Sequence, residues 1–263
     1  MLEYDFMRTA FAAGAVVAVV AAAAGYFLVL RNLTFAGHAL SHVGFAGATG
    51  SVLIGIAPLW GLLAFTLAAA TAIGLLGDRL RNRDVAVGIV LSLSLGFGVL
   101  FLHFYTTHAT QATAVLFGNL LGVDRATLWQ LAALAAVSLG ALAIIGRPLL
   151  FATLAPELAQ AKGLSLRLVS VMFLLVVAVA VAEAAQVVGV LLVFALLVGP
   201  AAAALRLTTH VARGILLSVA LALAETWAGI ALAYVTDWPA TFWIVLCSSA
   251  VYLGALAHSA RGR

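Results

Sequence analysis

Residues 9–30 read TAFAAGAVVAVVAAAAGYFLVL, an unbroken apolar run without a charged side chain. About 20 such residues suffice for a helix to cross the hydrocarbon core of a bilayer. The small residues from Ala21 to Gly25 give the run a passing likeness to a secretory signal peptide. However, Glu3 and Asp5 stand where such a peptide carries basic residues, and the apolar character continues through Tyr26, Phe27, Leu28, Val29 and Leu30. The run is expected to stay in the protein as a membrane span. The rest of the 263-residue chain has the same character, with 65% hydrophobic and 8% charged residues, against about 25% charged in a soluble domain. An all-α, polytopic membrane helical bundle is expected, because the alternating pattern of a barrel strand is absent and only helices or closed barrels satisfy their backbones in lipid. The net charge of +4 carries no basic cluster interleaved with aromatics, so nucleic acid is excluded as a partner and membrane lipid takes its place. The single cysteine, Cys247, excludes an internal disulfide and any paired-cysteine metal knuckle.

Polar punctuation divides the chain into about nine apolar segments, near residues 9–30, 39–57, 59–77, 85–105, 130–146, 168–184, 188–205, 214–235 and 240–258. The sixth and seventh run together, so the count is eight or nine transmembrane helices in a single transmembrane domain, 1–263. With the N-terminus outside, the inner loops and the inner C-terminus hold Arg31, Arg79, Arg81, Arg83, Arg147, Lys162, Arg167, Arg206, Arg213, Arg261 and Arg263. Only Arg8 and Arg125 of the 13 basic residues fall outside. This asymmetry is what the positive-inside rule requires. The stretch from Thr106 to Gln130 must begin and end outside, and its apolar part, Ala112 to Leu121, is too short to cross twice. A short interfacial helix is expected there.

Within this apolar chain, His38 and His42 stand four residues apart in Gly37-His38-Ala39-Leu40-Ser41-His42-Val43-Gly44. On a helix, positions i and i+4 share a face, and two imidazoles so placed can grip one metal ion. An ionisable pair inside lipid needs a polar partner and marks a functional site; the competing reading is two core histidines bonded to backbone carbonyls. The flanking Gly37, Ser41, Gly44, Ala48 and Gly50 form a small-residue face that lets helices approach closely. That predicts a second span buried in the bundle, with the histidines kept off lipid. Counted from Arg31, however, they lie nearer the inner face than the midplane. Glu183, with Gln186 one turn on, and Glu225 are the carboxylates expected inside spans, each a candidate ligand or a partner holding a histidine ring. His103 and His108 bracket the outer end of the fourth span, and with Asp237 they are candidates for the outer entrance; turn chemistry before Pro239 accounts for Asp237 equally well. His210 and His258 read as inner-face residues, and Trp227, Trp238 and Trp243 as interface anchors or packing.

One inner loop has helix punctuation of its own. Pro156 suits a first helical turn, Glu157 complements the positive helix end, Lys162 the negative end, and Gly163 closes the helix. A short cytoplasmic coupling helix near 155–163, presenting Pro156, Glu157, Leu158, Ala159, Lys162 and Gly163, is a candidate docking element for a partner; an ordinary turn between spans is the alternative. The only lysine, Lys162, is followed by Gly163, so the chain has no P-loop of its own. Any ATP must be hydrolysed by another subunit.

Several stretches together resemble the membrane permease of zinc/manganese-type ABC importers. They are Arg31 to Gly44; Leu116-Phe117-Gly118-Asn119-Leu120-Leu121-Gly122-Val123; the Pro156–Gly163 helix; Gln186 to Val193 leading to Gly199-Pro200-Ala201-Ala202-Ala203; and Tyr234-Val235-Thr236-Asp237-Trp238-Pro239. The resemblance spans nearly the whole chain, and its specificity lies in the joint order of the motifs. It implies a homodimer of permeases, cytoplasmic ATP-binding subunits docked on the loop helix, and an extracytoplasmic metal-binding protein delivering a divalent cation across the cytoplasmic (inner) membrane. No permanently bound cofactor is implied; the cation, zinc or manganese, is the cargo. The chain departs from the family pattern at His38, where members commonly carry Asp, and at Gln111, where many carry Asp. Both changes remove an oxygen ligand, and nitrogen-rich sites favour zinc over manganese. Two rival classes remain. An intramembrane zinc protease needs His-Glu-x-x-His, but Ala39 follows His38, so the general base is missing. An ATP-independent ion- or proton-coupled carrier would use Glu183 and Glu225. Manganese or iron import by the same ABC machinery is the third alternative.

Overall fold

The computed structural model describes residues 3–76, 83–104 and 116–261. Ten α-helices lie among them, which we number in chain order: α1 (Asp5–Leu30), α2 (Thr34–Leu53), α3 (Pro58–Leu76), α4 (Arg83–His103), α5 (Arg125–Leu154), α6 (Pro156–Ala161), α7 (Leu166–Val188), α8 (Val190–Leu207), α9 (Val211–Thr236) and α10 (Ala240–Arg261). No strand occurs among the described residues. Eight helices are long and apolar enough to cross a membrane: α1, α3, α4, α5, α7, α8, α9 and α10. At about 1.5 Å per residue, the 20 residues of α2 have the length to cross as well. Its histidines, glycines and hydroxyls make it less apolar than the other eight. This is the physical source of the choice between eight and nine spans.

The helices α1, α7 and α8 form the centre of the bundle. On one flank α2 packs on α3, α4, α7 and α8; on the other, α9 and α10 pack on each other and on α8, while α5 lies against α1 and α7. One apolar core runs from Met7 through Leu28, Leu40, Leu62, Leu149, Phe173 and Leu196 to Ile244. Helix contacts are close where glycines remove side chains. At Gly47 of α2 and Gly61 of α3, a Cβ on either would run into the other's carbonyl oxygen. Small residues bring membrane helices together in this way because dispersion, rather than hydrophobic exclusion, drives their association.

The arginines separate the two ends of the bundle. Arg31, just past α1, donates from Nη1 to Thr153 Oγ1 at 2.9 Å and from Nη2 to Ser170 Oγ at 3.3 Å, tying the end of α1 to the end of α5 and the start of α7. Arg167 reaches the Leu75 carbonyl at the end of α3. Arg206, at the end of α8, donates to the Tyr252 hydroxyl just past the middle of α10. At the opposite end Arg125 pairs with Asp5 across 3.7 Å. These contacts reproduce the segregation of basic residues expected from the sequence. Arg79, Arg81 and Arg263 lie outside the described residues.

Several expectations need correcting. The fifth span, placed at 130–146, is the 30-residue α5, Arg125–Leu154. The helix continues through Arg147, assigned to an inner loop, carries Pro148 in its interior and runs about 45 Å, well beyond a 30 Å hydrocarbon core. It starts at a genuine cap: the Asp124 carboxylate accepts the Thr127 N–H at 2.9 Å. The coupling helix near 155–163 is the shorter α6, Pro156–Ala161. Of the interfacial helix expected at 112–121, residues 112–115 lie outside the described residues; Leu116 and Phe117 are helical, and a 3-10 turn follows at Leu120–Gly122. Finally, the apparent continuity of the sixth and seventh segments is broken at Gly189. Its φ of +84° suits glycine and reverses the chain between α7 and α8.

Candidate functional site

Both histidines lie on α2, which begins at Thr34 and so includes the pair. Their rings meet edge to face, with centroids 4.7 Å apart and planes at 76°. Both are half-buried. The neighbouring Ser41 donates to the His38 carbonyl at 2.7 Å, so its hydroxyl satisfies itself on the helix backbone. His38 also meets Phe194 of α8 edge to face at 5.2 Å. This contact sets His38 against a definite point on α8. Phe194 is 13 residues from Leu207 at the basic end of α8, or about 20 Å along the helix. His38 thus reaches a point on α8 well away from its basic end, while α2 itself starts beside the last turn of α1, where Gly37 packs on Leu28, beyond the Arg31-Asn32-Leu33 turn with its left-handed Asn32 (φ +56°).

Glu183 lies on α7, fully buried, with both carboxyl oxygens lacking a hydrogen-bond partner among the described residues; Gln186 Oε1, one turn on, lacks one as well. Glu225 lies on α9, 2% exposed, and its two oxygens are likewise without hydrogen-bond partners. The structure does not gather these carboxylates around the histidines: no group of three or more His, Cys, Asp or Glu able to hold a metal occurs among the described residues. His103 ends α4, exposed, its ring 5.6 Å from Phe104. Asp237 caps α9 in the left-handed conformation (φ +57°), donating its N–H to the Ala233 carbonyl, which is the turn chemistry that the sequence offered as the alternative. His108 and Gln111 lie outside the described residues. Trp243 donates to Thr236 Oγ1 and stacks on Trp238, and Trp227 donates to the Phe11 carbonyl, so these rings pack helix ends together.

The α6 loop is a formed surface feature. Pro156, Glu157, Leu158, Lys162 and Gly163 are exposed while Ala159 is buried against the bundle. The helix closes with Leu164 N–H on Ala159 O and Gly163 N–H on Gln160 O, around Gly163 at φ +80°. This paired closure needs a residue free of Cβ strain at that position. Lys162 also sits over the Phe151 ring at 5.7 Å.

Sequence reasoning missed two associations. Phe194, one apolar residue among many, is the aromatic neighbour of His38. Gly118 and Gly189 also come together: both have positive φ, and a Cβ on either would run into the other segment's backbone. Two of the motifs quoted in sequence order are thus one contact in space, and the glycines were the visible sign of it.

The family model of the ABC 3 transport family matches residues 3–259. The chain belongs to this family. The membership makes it a permease subunit of the metal ABC importer type to which its motifs pointed. It is a transport component rather than an enzyme, with ATP hydrolysis on a separate subunit. Among its relatives, the manganese transport system membrane protein MntC of Listeria innocua is 28% identical over 253 residues, covering 96% of this chain and 90% of the relative. A probable iron transport system membrane protein of Haemophilus influenzae is 30% identical over 260 residues, covering 98% and 95%. Among solved structures, PsaBC from Streptococcus pneumoniae in complex with a Fab superposes with a TM-score of 0.86 at 27% identity, covering 97% of this chain and 92% of that one.

Proposed function

We propose that the chain, as a single permease domain, imports a divalent transition-metal cation across the cytoplasmic membrane, zinc ahead of manganese, with His38 and His42 as its transient ligands. The observation that carries this reading is the pair itself: two half-buried imidazoles with ring centroids 4.7 Å apart, on a helix packed among α3, α4, α7 and α8 in a transport protein. Two nitrogens give incomplete coordination. That suits transit, since a cation must be held strongly enough to enter and weakly enough to leave. Nitrogen ligands favour zinc. The relatives named for manganese and iron support a second reading, in which the same machinery carries one of those metals. Glu183 and Glu225 are the carboxylates available to the cation on neighbouring helices, and His103, His108 and Asp237 are candidates for the outer entrance.

In this reading the basic end faces the cytoplasm, placing the N-terminus outside and the C-terminus inside. The exposed face of α6 (Pro156, Glu157, Leu158, Lys162 and Gly163, with Ala159 anchoring it) receives the ATP-binding subunit. A second permease completes a homodimer, and an extracytoplasmic metal-binding protein delivers the ion. The test is metal uptake in cells lacking native zinc and manganese importers and carrying the full transport system. His38→Ala and His42→Ala should each reduce zinc uptake at least about tenfold, since even a group that only supports a metal ligand is worth that much. Undiminished uptake in both variants sinks the site, and a manganese uptake that exceeds zinc uptake decides for the second reading.

A further inference from the structure

A second cluster of metal-capable atoms lies across α8 from the histidines. Gly229 of α9 sits so close to Ile244 of α10 that a Cβ there would run into the Ile244 side chain. In this antiparallel register, four residues back on α9 is Glu225 and four residues on along α10 is Ser248. The Ser248 hydroxyl lies beside the Glu225 carboxyl, yet it donates to the Ala195 carbonyl of α8 at 3.3 Å. With that proton on Ala195, neither Glu225 oxygen has a donor among the described residues at 2% exposure, a costly arrangement for a polar group in an apolar interior. Cys247, half-buried, is i+3 from Ile244 on the same helix face and within electrostatic reach of Glu225. Ser248 also lines a cavity of about 370 Å³ between α8 and α10, with Phe194, Gly199, Ser249 and Tyr252. Phe194 is the ring that meets His38. At its far end the cavity reaches Tyr252, held by the Arg206 guanidinium at the basic end of the bundle.

We propose that Glu225, Cys247 and Ser248 form a second resting place for a thiophilic divalent cation, reached from the histidine pair past Phe194. The carboxylate supplies charge, the thiol becomes thiolate as its proton leaves to water, and the serine oxygen completes a sparse set. A thiolate and a carboxylate suit zinc or cadmium and disfavour manganese, so this station adds selectivity downstream of the histidines. Three weak ligands release the ion again, as a pathway requires. The inference rests on the cation-transport reading for its cargo, and the test separates the two.

Cadmium binding is measured on the full-length permease with its ATP-binding subunits in lipid nanodiscs, with the His38→Ala/His42→Ala double variant as background. Cys247 is the chain's one cysteine. A cadmium–thiolate ultraviolet band that appears on adding Cys247 back to a Cys247→Ser permease, against the same subunits, therefore reports this site. We expect that band in the double variant, its loss in Cys247→Ser, binding weakened about tenfold or more in Glu225→Gln, and no displacement by manganese. Absence of the band in a folded double variant, or a band indifferent to Glu225→Gln, overturns the proposal. Persistence of the band alongside undiminished uptake in the histidine variants would instead overturn the histidine site and leave this one standing.

Discussion

Helices α2 and α4 lie side by side in the bundle and differ in the opposite sense to their hydropathy. α4 is strongly apolar, yet only 22% of its spanning stretch is buried, and Ala86, Val87, Ser94 and Gly98 are its buried residues among those described. α2 is not apolar enough to stand with the eight clear spans, yet twelve of its 20 residues are buried. Hydropathy reports whether a segment can enter lipid. It does not report which segment lipid touches. A helix of leucines and valines can face the acyl chains at no cost, whereas one carrying histidines and serines must be enclosed by protein, and its small residues let the neighbours come close enough to do so.

The largest effect should come from breaking that enclosure. Gly47→Leu places a side chain where the Gly61 carbonyl stands, and should cost roughly 3 kcal/mol or more, since backbone cannot yield as a side chain can. Thermal unfolding of the detergent-solubilised permease checks it; a near-parental midpoint would mean that the α2–α3 contact is not as close as described. Smaller is Phe101→Ala, at the seam between the two helices, where the ring packs on Gly50, meets Phe65 edge to face and stacks on Phe97. Being half-buried, it should cost about 2 kcal/mol by the same measurement.

On α4 itself the sign should reverse. Gly88 and Gly96 have open space where a Cβ would go, so Gly88→Ala and Gly96→Ala should be neutral or stabilising by up to about 1 kcal/mol from helix propensity alone. Loss of stability there would show that a partner covers this face. The smallest effect concerns α5, another helix little buried along its span. The Thr127 hydroxyl and N–H hold the exposed Asp124 carboxyl below the ordinary carboxylate range. A depressed value means that the cap's contribution is present above that range and disappears as pH falls through the lowered pKa. Amide exchange at Thr127 should therefore quicken, relative to the helix interior, only at acid pH. Asp124→Ala should quicken it at every pH.

Much of this was legible in residues. The all-helical bundle, the ordering of its spans, the gathering of arginines at one end, and the loop helix with Pro156 first and Gly163 at its close all stem from local rules about backbone satisfaction, charge in lipid and turn chemistry. The histidine spacing needed only the geometry of one helix. Where the sequence misleads, it does so through local signals that tertiary context overrides. Arg147 reads as an inner-loop residue and is carried inside α5. Arg31 looks like a marker of the membrane edge, while its guanidinium is drawn onto α5 and α7 and ties three helix ends together.

The sequence alone determined what could enter the membrane and which side chains could bind a cation there. Both are properties of single residues and of one helix period. Only the tertiary structure decided that Phe194 covers His38, that Gly118 meets Gly189, that Ser248 lies beside Glu225, and that neither buried carboxylate joins the histidines among the described residues. The physical reason is that these meetings depend on the register and depth of helices against one another. In a bilayer many apolar surfaces are nearly equivalent, and that register is set by a few glycines and hydroxyls far apart in the chain.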